Sequence, residues 1–210
     1  MIFLEEIKIK QSFSRKVKSN KKLFLLILFI SITILIVIFL ISKSFERKTQ
    51  IAFFEFFLEE NYVIEENTLN KFIEVFNLLY EEFDYIMEFI SPIEILAIGI
   101  VETNFQNVKG DSGESLGYFQ IQAPTYWYLK HHYLELYETI NFTLPWYWDN
   151  VKVRPDAQLM SAILYLYDLK IRFGEEQAYS LYNGGSQVYQ DKILKQINKL
   201  EQEYDEFKRR

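Results

Sequence analysis

The chain has 210 residues, half of them apolar and 18% aromatic, and its 23 Lys and Arg against 29 Asp and Glu give a net charge of −6. That composition excludes a disordered, collagenous or linker-like polypeptide and suits one domain with an appendage. Cysteine is absent, which excludes a disulfide framework, a thiol nucleophile and a cysteine-held metal. The adjacent pair His131 and His132 are the only histidines, a poor basis for a metal centre or a Ser/His/Asp triad, so neither a metal nor a cofactor is expected.

Residues 23–41 read LFLLILFISITILIVIFLI, opening at Leu23 and closing at Ile41. The run holds no charge, Gly or Pro. At about 1.5 Å per residue it just crosses a hydrocarbon layer of about 30 Å. Ser31 and Thr33 are its only polar side chains, and both can bond back to helix carbonyls. Residues 1–22 hold seven basic and two acidic side chains, a net of +5, which leaves −11 for the rest. That asymmetry places the tail on the cytoplasmic side and the body outside, although Lys43, Arg47 and Lys48 follow the span. The competing reading, a cleaved signal peptide, needs a shorter apolar core and a small-residue cleavage site, and SKSFERK follows instead. The expectation is an uncleaved anchor in the cytoplasmic membrane.

The body reads as mainly helical with little strand. Phe53, Phe54, Phe56 and Phe57 recur at helical spacing among acidic residues. Leu69, Phe72, Ile73, Phe76, Leu79 and Tyr80 predict a second amphipathic helix over about 68–89, with Asn67 or Thr68 as N-cap. Ser91-Pro92-Ile93-Glu94 predicts a capping box opening a three-turn helix that ends near Glu102. A turn-rich loop over 104–116 follows, with glycines at 99, 110, 113 and 117 around it. Further helices are expected over 124–137 and 155–173, the second stopped by Gly174. An irregular aromatic stretch lies between them. A short helix leads to Leu181-Tyr182-Asn183-Gly184-Gly185 and a charged helix closes the chain, its stretch 191–210 reading as a solvated face or frayed tail.

Glu102 is the residue that points to chemistry. A carboxylate at the end of an apolar helix loses hydration, which raises its pKa toward neutrality. An acid poised in this way can protonate a leaving oxygen and then act as base, as glycosidic cleavage requires. Among 29 acidic residues one Glu alone means little. Its neighbours give it context, for three segments occur in order: Glu102-Thr103-Asn104-Phe105, Gly117-Tyr118-Phe119-Gln120-Ile121 and Tyr182-Asn183-Gly184-Gly185.

In these segments the chain resembles the SLT-type (family 1) lytic transglycosylases of the lysozyme-like superfamily. The likeness covers about 91–187, including Arg154-Pro155-Asp156-Ala157-Gln158-Leu159 and the later Tyr165-Leu166 and Phe173-Gly174. Thr103 stands where the family has Ser, Tyr118-Phe119 where it has Leu-Met, Leu181 where it has Ala, and Gln158 where Asn is common. The resemblance implies a lysozyme-like catalytic domain over 91–210, joined by a helical linker or collar at 42–90 to the transmembrane helix at 23–41 and the tail at 1–22.

It also implies a peptidoglycan substrate and cleavage of the β-1,4 bond from N-acetylmuramic acid to N-acetylglucosamine, leaving a 1,6-anhydromuramyl end. Glu102 would be the acid and base. Thr103, Gly117, Tyr118, Phe119, Gln120, Tyr182 and Asn183 would form the substrate-binding set, with Thr103 orienting Glu102. Trp127, Trp146, Tyr147 and Trp148 are either sugar-stacking rings or hydrophobic filling. Asp111 and Glu114 are either turn residues or the second carboxylate of a hydrolytic muramidase. A non-catalytic glycan-binding or scaffold module of an envelope complex is the reading from another class. Nucleic acid is not an expected partner, because no basic patch lies outside the tail.

Overall fold

The computed structural model describes residues 2–210, with side chains from Phe24 onward. The basic cluster of the tail and Leu23 lie outside the described side chains. The chain divides into two compact units, residues 1–48 and 49–210. It is mainly helical with one small sheet.

The first unit is helical throughout its described length and belongs to α1 (Ile2–Asn61). Every apolar side chain of the run from Phe24 to Ile41 is exposed, from 45% at Leu28 to 69% at Phe29. Ser31 and Thr33 donate to the carbonyls of Ile27 and Phe29, both at 2.9 Å, so the run presents almost no free polar group. It is one long apolar helix of a length and composition that fit a membrane span or a signal sequence.

The second unit holds a single hydrophobic core. The last turns of α1 supply Phe53, Phe54, Phe57 and Leu58 to it. The helix α2 (Glu66–Glu82) supplies Leu69, Phe72, Val75, Phe76 and Leu79. Phe54 meets Phe76 edge-on at 4.9 Å and Phe72 at 6.1 Å, and Phe72 meets Tyr118 and Phe119 at 5.5 and 5.8 Å. These tilted and edge-on pairs add specific geometry to the burial of large rings. The segment read as a linker or collar therefore backs the wall that carries the Gly117-Tyr118-Phe119 motif.

Two predicted helices are shorter than expected. The second helix starts at Glu66 without a side-chain cap, and Thr68 is buried inside its first turn instead. It stops at Phe83, whose φ of −139° and ψ of 50° break the ladder before α3 (Asp84–Met87). Likewise, the helix expected over 124–137 is two: α5 (Ala123–His132) and α6 (Leu134–Thr139), split at Tyr133.

The capping box forms as expected at α4 (Pro92–Thr103): the Glu94 amide donates to Ser91 Oγ at 3.2 Å and the Ser91 amide to Glu94 Oε2 at 2.8 Å. The other carboxylate oxygen of Glu94 receives Lys170 Nζ at 2.5 Å and the Tyr179 hydroxyl, inside the core. This buried cluster pins the start of α4 to α7 (Pro155–Phe173) and α8 (Glu175–Tyr182). Gly174, at φ 82°, ends α7 as the sequence predicts.

The sheet is a three-stranded antiparallel meander, β1 (Val108–Gly110), β2 (Ser115–Gly117) and β3 (Ile121–Gln122), with Lys109 opposite Leu116 and Leu116 opposite Ile121. The C-terminal stretch is the expected closing helix, but it is neither frayed nor solvated all round. It forms α9 (Gln187–Phe207), capped by Ser186, with Tyr189, Ile193, Leu200 and Tyr204 buried on one face and packed against α4.

Candidate active site

The helix α4 positions Glu102 in its last turn. A left-handed Asn104 at φ 52° closes that helix, and the Phe105 amide returns to Gly99 O at 3.2 Å while the Asn104 amide returns to Ile100 O at 3.0 Å. The turn folds the Phe105 ring back over Gly99, where a Cβ would stand 2.4 Å from it. Gly99 is therefore fixed by close packing inside a helix, which lets the chain reverse directly after Glu102.

Glu102 lies in a polar cleft of about 450 Å³, shared with Asp111, Gln120, Ile121, Gln122, Thr125, Tyr165, Leu181, Tyr182, Asn183 and Gly184. Its Oε1 accepts a hydrogen bond from the Tyr189 hydroxyl at 2.6 Å. Burial pushes the carboxyl up to about 7, the Tyr189 hydrogen bond pulls down, and the Asp111 charge pushes up again. The expectation of a carboxyl raised toward neutrality is met. Three tyrosines build the wall beside it. Tyr165 and Tyr182 lie 5.0 Å apart, and Tyr182 and Tyr189 are parallel at 6.4 Å. Burial, then the neighbouring Glu102 charge, raises the pKa of both Tyr182 and Tyr189, so both remain proton donors.

The motif residues divide between lining the cleft and building it. Gln120, Tyr182 and Asn183 line it together with Glu102. Gln120 spends its amide internally: Nε2 donates to Gly117 O at 2.8 Å and Val108 O at 3.3 Å, and Oε1 accepts from Ser115 Oγ at 2.6 Å. The Tyr182 hydroxyl donates to Phe119 O at 3.2 Å. Asn183 is exposed at the rim.

Thr103, Gly117, Tyr118 and Phe119 stand behind the cleft. The Thr103 hydroxyl bonds Tyr118 O at 2.8 Å and Gly99 O at 3.3 Å, so it ties α4 to the loop where orientation of Glu102 was expected. The Phe119 side chain is fully buried and that of Tyr118 nearly so, which makes both of them wall and not contact surface. Gly117, at φ 84°, passes so close to Gln158 that a Cβ would lie 2.0 Å from its Oε1. Gln158 is fully buried, accepts from the Tyr118 amide at 2.9 Å and donates to Val151 O and Lys152 O, each at 3.0 Å. This amide anchors the loop from the long helix α7.

Asp111 lines the cleft while Glu114 does not. Trp127, Trp146, Tyr147 and Trp148 are all outside the lining of the Glu102 cleft. Trp146 and Tyr147 are 76% and 74% exposed, and Trp127 and Trp148 pack on Tyr126 at 5.5 and 5.4 Å.

Tyr189 is the partner of Glu102 that the motif reading missed. It sits among charged residues, and its signal was an apolar stripe of Tyr189, Ile193, Ile197, Leu200 and Tyr204 at helical spacing. No family model, curated protein or solved structure matches the chain.

Proposed function

We propose that the protein is a membrane-anchored peptidoglycan lytic transglycosylase. The observation that carries this reading is the Glu102 carboxyl, raised to about 7 in a polar cleft and held by Tyr189. A carboxyl near neutrality is protonated often enough to give a proton and basic enough to take one. Glu102 donates its proton to the glycosidic oxygen, and the bond from that oxygen to C1 of the muramyl sugar breaks. The resulting carboxylate takes the proton of the C6 hydroxyl, and O6 closes on C1. One bond forms as one breaks, Glu102 regains its proton, and no water is consumed. A single carboxylate suffices where most glycosidases need two.

The order of the three motifs along the chain, and the assembly of Gln120, Tyr182 and Asn183 around Glu102, support the substrate class. In this reading the apolar helix stays uncleaved in the cytoplasmic membrane, with the basic tail inside and the unit 49–210 outside, on the side where peptidoglycan lies.

One observation favours a second reading. Asp111 shares the cleft and raises the Glu102 pKa, so it is placed to hold a water for hydrolysis. Digestion of purified peptidoglycan, with fragments read by mass spectrometry, separates the two. Anhydro ends that vanish in Glu102→Gln are the expected result. Reducing ends that vanish in both Glu102→Gln and Asp111→Asn would establish the muramidase instead. A folded protein that binds glycan and makes no Glu102-dependent product would leave a scaffold.

A further inference from the structure

A second surface lies beside the cleft on α5. Trp127, Tyr128, His131 and His132 line an open hollow of about 490 Å³, four ring side chains with no other residue among them. The helix that carries them starts in the cleft itself, since Gln122 and Thr125 line the cleft and α5 begins at Ala123. Thr125, Tyr128 and His132 follow one another on a single helix face, at i, i+3 and i+7.

The neighbouring helix keeps the same step. Thr125 and Tyr165 line the cleft together, and three residues on in each helix Tyr128 Oη donates to Asp168 Oδ1 at 3.0 Å. Each rung advances by three residues on both helices, a rise of about 4.5 Å. The hollow thus begins one helical turn from the cleft lip, along its own wall.

Its rings are held in place before any ligand arrives. Asp168 fixes Tyr128 and is itself held by Arg172 Nη1 at 2.9 Å. His132 stacks on Tyr128 at 5.1 Å with the planes 19° apart and meets Tyr133 edge-on at 5.0 Å. Trp127 carries Lys130 Nζ 5.2 Å from its ring centre. His131 Nδ1 stands 2.7 Å from Trp127 O, a carbonyl that only accepts, so Nδ1 carries a proton and the contact fixes the ring. Fixed ring faces for apolar sugar faces, with an imidazole edge that can hydrogen-bond a hydroxyl, are what a saccharide requires. Rigid aromatic surfaces also lose little entropy on binding.

We infer that this hollow is an outer saccharide site, holding sugar rings of the same glycan strand whose scissile bond lies at Glu102. The inference rests on the proposed glycan substrate and adds the direction in which the strand leaves the cleft. It assigns binding, not chemistry, to His131 and His132.

The test uses the full chain in detergent with Glu102→Gln as the parent, so that binding is read without turnover. Calorimetric titration compares the dimer and the hexamer of N-acetylglucosamine. The pair His131→Ala/His132→Ala, both exposed, and separately Trp127→Leu, are expected to weaken hexamer binding about tenfold and leave the dimer unchanged. The exposed histidine pair keeps the test decisive should Trp127→Leu fail to fold. Equal weakening of dimer and hexamer, unchanged hexamer binding in the histidine variant, or no hexamer binding by the parent would each overturn the outer site. Peptidoglycan digestion by the chain with Glu102 intact is read separately. A hexamer-specific loss alongside absent digestion would support the site and overturn the catalytic reading, whereas digestion with unchanged hexamer binding would do the reverse.

Discussion

Glu102 keeps its proton near neutrality because burial outweighs the one hydrogen bond that stabilises its charge. Its folded pKa of about 7 lies above the ordinary 4.5, so its contribution to stability is complete below 4.5 and lost as pH rises to about 7. Glu102→Gln removes that loss. The variant is expected to be more stable than the parent at pH 8, by up to about 3 kcal/mol, and equal to it at pH 4. Thermal melts at the two pH values check this, and an equal difference at both would mean that the carboxyl does not titrate in this window. Tyr189→Phe acts in the opposite direction on the charge. Losing the hydroxyl raises the Glu102 pKa, so the alkaline limb of the pH–rate profile should move up while kcat falls about tenfold. A limb that stays in place would reduce Tyr189 to packing.

At the scale of elements, the site depends on a loop gripped from behind. Gly117 has a backbone that only glycine adopts readily, and it touches the Gln158 amide that bridges the Tyr118 amide and two carbonyls. Gly117→Ala is therefore expected to cost about 2–4 kcal/mol, from a left-handed backbone and a displaced buried amide together. Chemical denaturation of Gly117→Ala, Gln158→Ala and the double variant should show strong non-additivity, since both substitutions disrupt one contact. Additive losses would separate the two residues. Much of this element was legible beforehand. The capping box, the end of α7 at Gly174 and the delivery of Glu102 by a three-turn helix follow from local patterns, because caps and turns act within a few residues. What escaped depends on distant partners. The Thr103 hydroxyl reaches Tyr118, not Glu102, and the charged last helix turns a buried stripe inward to place Tyr189. Neither contact leaves a mark in local spacing, since 15 residues separate the first pair and 87 the second.

At the scale of the whole molecule, charge is distributed against the proposed substrate. Residues 49–210 hold 13 basic and 26 acidic side chains, a net of −13. An acidic body and an anionic wall polymer repel one another, so charge steering works against encounter. The cleft itself adds to this, since Asp111 lines it beside Glu102. Binding must then come from short-range contacts in the cleft and along its wall, which salt screens little, while the long-range repulsion is screened strongly. The Debye length falls from about 30 Å at 0.01 M salt to about 10 Å at 0.1 M. The expected outcome is a KM for soluble peptidoglycan fragments that falls about two- to fivefold as sodium chloride rises from 10 to 150 mM, with kcat nearly constant. Initial rates of the full chain in a non-ionic detergent across that range would measure it. A KM that rises with salt would mean that attraction dominates capture.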